Sequence, residues 1–516
     1  MRNKFIQTVL LMGILFCSCK KSFLQQTDPE AVTIPQFFTS EADVLLALNG
    51  CYQSLRSSDC IGEESDLYTD QRSDDTGTND NQSNSGEPFQ FNNFAILPTN
   101  SYLEKHWLAL YQTITRCNIL LSNVDAVKFA SDSSKSQYVS EAKFLRAVIY
   151  FHLVRKWGDV PLVTKQLTTV GQINAATFRS KAVAVYQQIV ADLTDAAKGN
   201  LPVTQPAANR GRASMQAVTA ILGQVYLTRY ATLDGGNAGS ASGTTDLDSA
   251  NYYLSACYNM RKFGALSTIP YTDVFDVTKK ASCPELIWQI VNIQGDITYH
   301  SNVAADAQAK GEQVTTKKPS SSLGDNVTHD LVKEYETTDP RGAFSIRFDA
   351  NTQVNDWYVT KYRDTSGTAG VNGYGGNDWP LIRYADVILM LAEVNMYQNN
   401  SAGAISYIDM VRTRAGMPTY AASMADPTST YSTKFPTLKL ALLHERRVEL
   451  AFEHQRWFDL LRFFSVNDLV NYIHSKNPAD WGLANIANFG TKDEYFPIPY
   501  AENILDPVKM YQNPGY

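Results

Sequence analysis

Residues 137–161 read QYVSEAKFLRAVIYFHLVRKWGDVP. Leu145, Val148, Ile149 and His152 recur at helical spacing. The run stops at Gly158, with Pro161 just beyond, and glycine followed by proline marks a helix end. The segment therefore predicts a helix over Gln137–Trp157. Working outward, Glu104–Val124 carries Trp107, Leu108, Tyr111, Ile114 and Ile119 on one broad face. Upstream, Ser40–Leu55 places Val44, Leu45, Leu48 and Tyr52 the same way. Downstream lie amphipathic runs over Phe178–Lys198, Ser214–Tyr230 and Ser249–Lys262. The second is rich in small residues (Ala217, Ala220, Gly223), which lets neighbouring helices approach closely. Paired helices with small contact residues suggest a tetratricopeptide-like stack, although no 34-residue consensus is visible.

The rest of the chain is less regular. Ser57–Asn100 is dominated by Asp, Asn, Ser and Gly, with Tyr68, Phe89, Phe91 and Phe94 among them, and reads as a long loop region, of the kind that is usually functional or disordered. Asp234–Thr245 reads as a flexible surface insertion. From Phe263 to Pro380 short strand-like runs (Leu286–Ile293, Trp357–Tyr362) alternate with polar loops. Helix returns at Leu381–Gln398, Ala402–Ala415 and Thr437–Phe464, followed by an irregular aromatic and proline-rich tail.

Across 516 residues, 44% are hydrophobic and 19% charged, which excludes global disorder. Lys and Arg number 45 against 52 Asp and Glu, a formal charge of −7, with an isoelectric point near 5.6. That balance argues against nucleic acid, which needs a concentrated basic face. Aromatics reach 11%, tyrosine leading with 28. Tyrosine offers an apolar ring and a hydroxyl, a combination suited to gripping polar ligands.

Arg2 and Lys4 precede an apolar run, Phe5–Phe16, too short to span a bilayer and therefore read as a signal peptide. It ends at Cys17-Ser18-Cys19-Lys20-Lys21, a lipobox-like sequence with Cys19 as the acylated residue. Diacylation plus an amide-linked chain would anchor the mature protein to a membrane without spanning it. Cys51, Cys60, Cys117, Cys257 and Cys283 form no C-x-x-C pair. They read as mostly buried apolar residues, with Cys51 and Cys60 close enough in sequence for one disulfide.

Nucleotide-loop, nucleophile-elbow and zinc-protease motifs are absent from the sequence. Glu445, Glu449 and Glu453 recur on one predicted helix face among Arg446, Arg447 and Arg456. Interleaved arginines hold carboxylates ionised, the wrong state for a general acid, so this set reads as a salt-bridged face rather than a glycosidase pair. Asp74, Asp75, Asn79, Asp80 and Asn81 offer hard oxygen ligands that would suit calcium, without EF-hand spacing. Loop aromatics remain, since sugar rings stack on aromatic faces while polar neighbours bond the hydroxyls. The candidate ligand-binding residues are Tyr68, Arg72, Asp74, Phe91, Tyr102, Tyr299, His300 and Tyr374, and none is a candidate for catalysis.

Several blocks resemble the SusD/RagB lipoproteins. They are Glu141–Leu162, Leu381–Glu393, His444–Glu453 with Arg456–Leu460, Phe496-Pro497-Ile498-Pro499, and Gln512–Tyr516. The resemblance implies an all-α protein on about four tetratricopeptide-like helix pairs with a loop-rich ligand-binding subregion. It implies a signal peptide over 1–18, an N-terminal region over 19–262 and a C-terminal region over 263–516 (loop-rich to 380, helical over 381–464). It further implies a surface lipoprotein of the outer membrane of Bacteroidetes. Such a protein captures a nutrient, often a glycan, without turnover and passes it to a SusC-like TonB-dependent channel. In the starch-binding member, ligand contacts come from loops equivalent by order to residues 60–102 and 270–380. A peptide binder and a pure helical scaffold are the competing readings.

Overall fold

The computed structural model describes residues 34–77, 86–233, 241–303, 326–350, 355–482 and 484–516. The leader, Cys19, Asn79, Asp80 and Asn81 lie outside these ranges.

The first long helix, α1 (Glu41–Ser54), opens with a capping box in which Ser40 and Asp43 bond each other's backbone N–H. It packs on α2 (Ser101–Asn123) and α3 (Asp132–Trp157). Asn100 caps α2, Ser131 caps α3, and α3 ends at Gly158 with φ 70°. The stack continues through α4 (Ala182–Lys198), α5 (Met215–Thr228), α6 (Ala241–Asn259), α7 (Tyr384–Tyr397), α8 (Ser401–Arg414) and α9 (Leu438–Leu450). From α2 to α9 each helix packs against the next, giving four successive pairs. This is the all-α, tetratricopeptide-like scaffold expected.

Close packing is visible where α5 meets α6. A Cβ built on Gly223 would lie 2.4 Å from Cγ of Leu254. Gly223→Ala is therefore expected to destabilise by about 1–2 kcal/mol, because overpacking outweighs the gain in helix propensity. The urea midpoint measures this, and an unchanged or higher midpoint would refute the steric reading.

Three elements differ from expectation. The helix read over Thr437–Phe464 is two, α9 and α10 (Arg456–Phe463), joined by a turn in which Phe452 (φ 61°) and His454 (φ 59°) are left-handed. Tertiary bonds hold this turn. Lys361 Nζ donates to the Ala451 carbonyl at 2.8 Å, and the Tyr362 hydroxyl donates to that of Phe452 at 3.0 Å. Second, helix α6 already begins at Ala241, inside the stretch read as a flexible insertion. Third, α7 is preceded by a strand, so that β1 (Leu286–Ile290) pairs antiparallel with β4 (Trp379–Arg383), Leu286 opposite Arg383. Between them β2 (Ile346–Asp349) and β3 (Asp356–Val359) pair antiparallel in a four-stranded sheet with Asn326–Val327 and Thr76–Gly77.

The glutamates of the salt-bridged set are not on a solvated face. Glu449 and Glu453 meet Arg383 in the interior, with Glu285 alongside, and Arg341 and Arg414 also reach Glu449. Burial works to raise the Glu449 carboxyl, but Arg414, Arg383 and Arg341 overcome it and hold it below its usual range. The partners come from β4, α8 and a distant short helix rather than from i,i+4 neighbours.

The C-terminal segment crosses the end of α3. Phe496 N–H donates to the Lys156 carbonyl at 2.7 Å, and Trp157 Nε1 donates to that of Pro497 at 3.0 Å. Arg179 Nη2 also reaches Oδ1 of Asn513 at 2.6 Å.

Cys51, Cys60, Cys117 and Cys257 are buried, and all five described cysteines are free thiols, so Cys51 and Cys60 form no bridge. Among the described residues no helix is long and apolar enough to cross a membrane.

Candidate functional site

Strand β1 leaves the interior at Ile290, and the loop beyond it, 291–303, folds back on itself. Ile293 N–H donates to the Tyr299 carbonyl at 2.7 Å, and Asp296 Oδ1 accepts from the N–H of Thr298 (2.7 Å) and Tyr299 (2.8 Å). Gly295, at φ 77°, makes the turn. A bridge between Ser301 and Gly375 ties this loop to the one before β4, and the His300 and Tyr374 rings pack at a tilt of 35° with centroids 4.1 Å apart.

The result is an exposed aromatic and aliphatic tip. Tyr299 is 41% exposed, Ile293 50% and Ile297 75%. Arg56, just past α1, braces it from behind. Its guanidinium carbon lies 5.5 Å from the Tyr299 ring centroid, while Nη2 donates to Asn292 Oδ1 at 2.7 Å. Between this loop, α1 and the turn at 207–212 runs an open groove of about 370 Å3. Tyr299 and Ile293 form one wall. Asn49, Gln53, Asn209 and Arg212 supply amide and guanidinium donors from the other. Arg212 lies over the Tyr52 ring at 5.3 Å and ion-pairs with Glu141 at 3.0 Å, so its position is set in advance. An exposed ring beside fixed polar groups suits a ligand with apolar C–H faces and many hydroxyls.

Glu63 anchors the loop from below. Oε1 accepts from Asn302 N–H at 2.8 Å, and Oε2 accepts from Asn292 Nδ2 at 2.7 Å. Burial raises its carboxyl to about 7. A carboxyl raised on folding binds more protons folded than unfolded, so stability falls as pH rises from about 4.5 through 7. Glu63→Gln should flatten that part of the pH profile, measured by urea midpoints between pH 5 and 8. An unaltered slope would show that Glu63 does not titrate there.

Of the eight predicted ligand residues, the structure brings Tyr299, His300 and Tyr374 together at this tip. The others are elsewhere. Tyr68 and Phe91 are interior, their rings 5.6 Å apart, and Tyr68 stacks on His106 at 3.8 Å and bonds the Tyr102 carbonyl at 3.1 Å. Tyr102 is half-buried beside them. Arg72 is interior too, lying over the Phe496 ring at 4.3 Å and donating to the Asp493 carbonyl. Asp74 accepts from Arg456 through both oxygens, at 2.6 and 2.8 Å. Burial works to raise the Asp74 carboxyl, but Arg447 and Arg456 hold it far below its usual range. Tyr68, Phe91, Arg72 and Asp74 are corrections to the sequence reading, because they spend their polar atoms and ring faces inside the fold, whereas Tyr102 lies outside the residues lining the Tyr299 groove. Of the calcium candidates Asp74, Asp75, Asn79, Asp80 and Asn81, the two described ones, Asp74 and Asp75, face Arg456 and Arg447. Among the described residues no cluster of His, Cys, Asp or Glu could hold a metal ion.

Arg56, Gln53, Asn49, Arg212 and Glu63 were missed. Asn49, Gln53 and Arg56 share one face running along α1 and just past it, but the groove they border is completed by Arg212 and Tyr299 from segments far away in sequence.

Comparison with known proteins fits this architecture. Residues 296–516 match the model described as the SusD family, and residues 22–227 match one described as starch-binding associating with outer membrane. SusD-like protein P2 of Formosa agariphila is 28% identical over 548 residues, covering 100% of both chains. A SusD-like protein of Bacteroides ovatus is 24% identical, over 92% of this chain and 85% of its own. Among solved structures, a laminarin binding SusD-like protein superposes with a TM-score of 0.73 at 25% identity, over 93% of this chain and 100% of its own.

Proposed function

The chain belongs to the SusD family, and from that premise we propose that it is a glycan-binding protein of the outer-membrane surface which captures an oligosaccharide at the Tyr299 groove. The observation that carries this reading is the exposed Tyr299 ring, braced by Arg56, facing a wall of amide and guanidinium donors. The laminarin-binding relative supports a glycan as the ligand class and makes β-linked glucans the first to try. Binding proceeds without covalent chemistry. Glu449 and Glu453, the carboxylates a glycosidase reading would use, are locked to arginine and lysine side chains in the interior. Cys19 is the proposed acylated residue, and a SusC-like TonB-dependent transporter the proposed recipient of the ligand.

The test is calorimetric titration of the mature chain with laminarin oligosaccharides, starch oligosaccharides, other polysaccharides and peptides, with product analysis of the same mixtures. Saturable binding of one glycan class without cleavage is expected. Binding of peptides alone, or cleavage of the bound glycan, would overturn the assignment. Co-purification with a TonB-dependent channel tests the transport half, and its loss when Cys19→Ala releases the protein from the membrane is expected.

A further inference from the structure

A second cavity, of about 380 Å3, lies beside the C-terminal end of α3, on elements that contribute nothing to the Tyr299 groove. Its walls are mostly apolar, with Phe458 and Leu461 of α10 on one side and Ala231 and Leu233 on another. Residues Arg229–Leu233 are wound as a π-helical turn. Such turns are rare and concentrate at functional sites, where they displace a helix wall from regular register.

Its polar end is Arg155. This side chain is 7% exposed, and its guanidinium carbon sits between two rings, 3.8 Å from the Phe151 centroid and 3.7 Å from that of Phe458. Nε donates to the Phe151 carbonyl of the same helix at 3.2 Å, and buried Nη1 has no partner among the described residues. No described carboxylate lies within ion-pair distance. The nearby Asp386 and Asp459 already accept from Arg446 and Arg462. Burial pushes the Arg155 pKa down to about 9. Tyr186, which lines the same cavity, interacts with both Arg155 and Thr232. An isolated buried cation is expensive, and every other buried arginine network described above supplies its own carboxylates. Here the fold leaves the counter-charge out and a cavity open beside it.

We propose that this cavity is a second ligand site, for an amphipathic monocarboxylate whose carboxylate meets Arg155 and whose apolar body packs against Phe458, Leu461 and Ala231. Its volume, roughly a dozen water volumes, suits a body of about that many heavy atoms. Arg155 is the one unpaired buried cation described on the cavity wall, which suits a ligand with a single carboxylate, and burial of Glu494 on the same wall favours its neutral form.

The test titrates the full mature chain, freed of lipid by Cys19→Ala, with octanoate and 4-phenylbutyrate, using octanol and octylammonium as controls. Saturable one-to-one binding of both carboxylates is expected, at least about tenfold tighter than octanol. Arg155→Gln should remove that preference. Leu461→Trp fills the cavity, leaves Arg155 intact and should block both carboxylates. If Arg155→Gln does not fold, Leu461→Trp and the octanol comparison still decide. Equal binding of octanol, octanoate binding that survives Leu461→Trp, or no saturation by about 10 mM would overturn the proposal. Glycan titrations of the same variants should be unchanged, so this site and the Tyr299 groove stand or fall separately.

Discussion

Replacing Arg383 with methionine is expected to lower the free energy of unfolding by about 3–5 kcal/mol. Arg383 spends its whole guanidinium in the interior. Nε donates to Glu453 Oε2 at 2.7 Å, Nη1 to Glu285 at 2.6 Å and Glu449 at 2.7 Å, and Nη2 to Glu453 Oε1 at 2.7 Å and the Glu449 carbonyl at 2.8 Å. Losing it strands carboxylates that water cannot reach, and their uncompensated burial is the large effect. The stranding is unequal. Among the described residues Glu285 keeps Arg414, and Glu449 keeps Arg341 and Arg414, but Glu453 keeps only Lys361. Adding Glu453→Gln to Arg383→Met should therefore recover part of the loss. Lys181→Met, which removes an exposed pair with Asp159, should leave the urea midpoint unmoved. A small effect of Arg383→Met, or no recovery in the double variant, would mean that the network contributes little.

The second large effect concerns binding. Tyr299→Ala should weaken glycan affinity at least about tenfold, or 1.4 kcal/mol, because one exposed, braced ring carries the stacking face. Tyr299→Phe keeps that face and should retain most of the affinity. Arg56→Met leaves the ring in place but removes its brace and the bond to Asn292, so an intermediate loss is expected. Because ring and brace touch, the double variant should lose less than the sum of the two. Full affinity in Tyr299→Ala would move the site away from this loop, even with glycan binding by the protein established.

The long helices were legible because each carries its own evidence. Apolar faces at helical spacing mark α1, α2, α3 and α5, and Gly158 ends α3 where the sequence places it, although α3 starts at Asp132, five residues before the start read from its apolar spacing. The break between α9 and α10 was not legible. No glycine or proline marks it, and the left-handed Phe452 and His454 depend on Lys361 and Tyr362 from about ninety residues earlier. The same cause explains the site. Tyr299, His300 and Tyr374 sit in loops that project outward, so composition and position agree. Residues 65–76 look equally loop-like, yet Arg72, Asp74 and Asp75 are buried against segments more than 370 positions away. A polar loop becomes interior when distant arginines meet it, and nothing local announces that meeting.

The strap across the end of α3 has a consequence in time. Trp157 bonds the carbonyl of Pro497, which is made 340 residues later. At ribosomal rates of about 5–20 residues per second, that interval is roughly 20–70 s. Through that interval the hinge end of the first helix pair exists without its cover. A nascent chain halted short of the strap would present an aromatic surface instead of a finished helix end, and would be recognised as incomplete by any factor that surveys exposed rings.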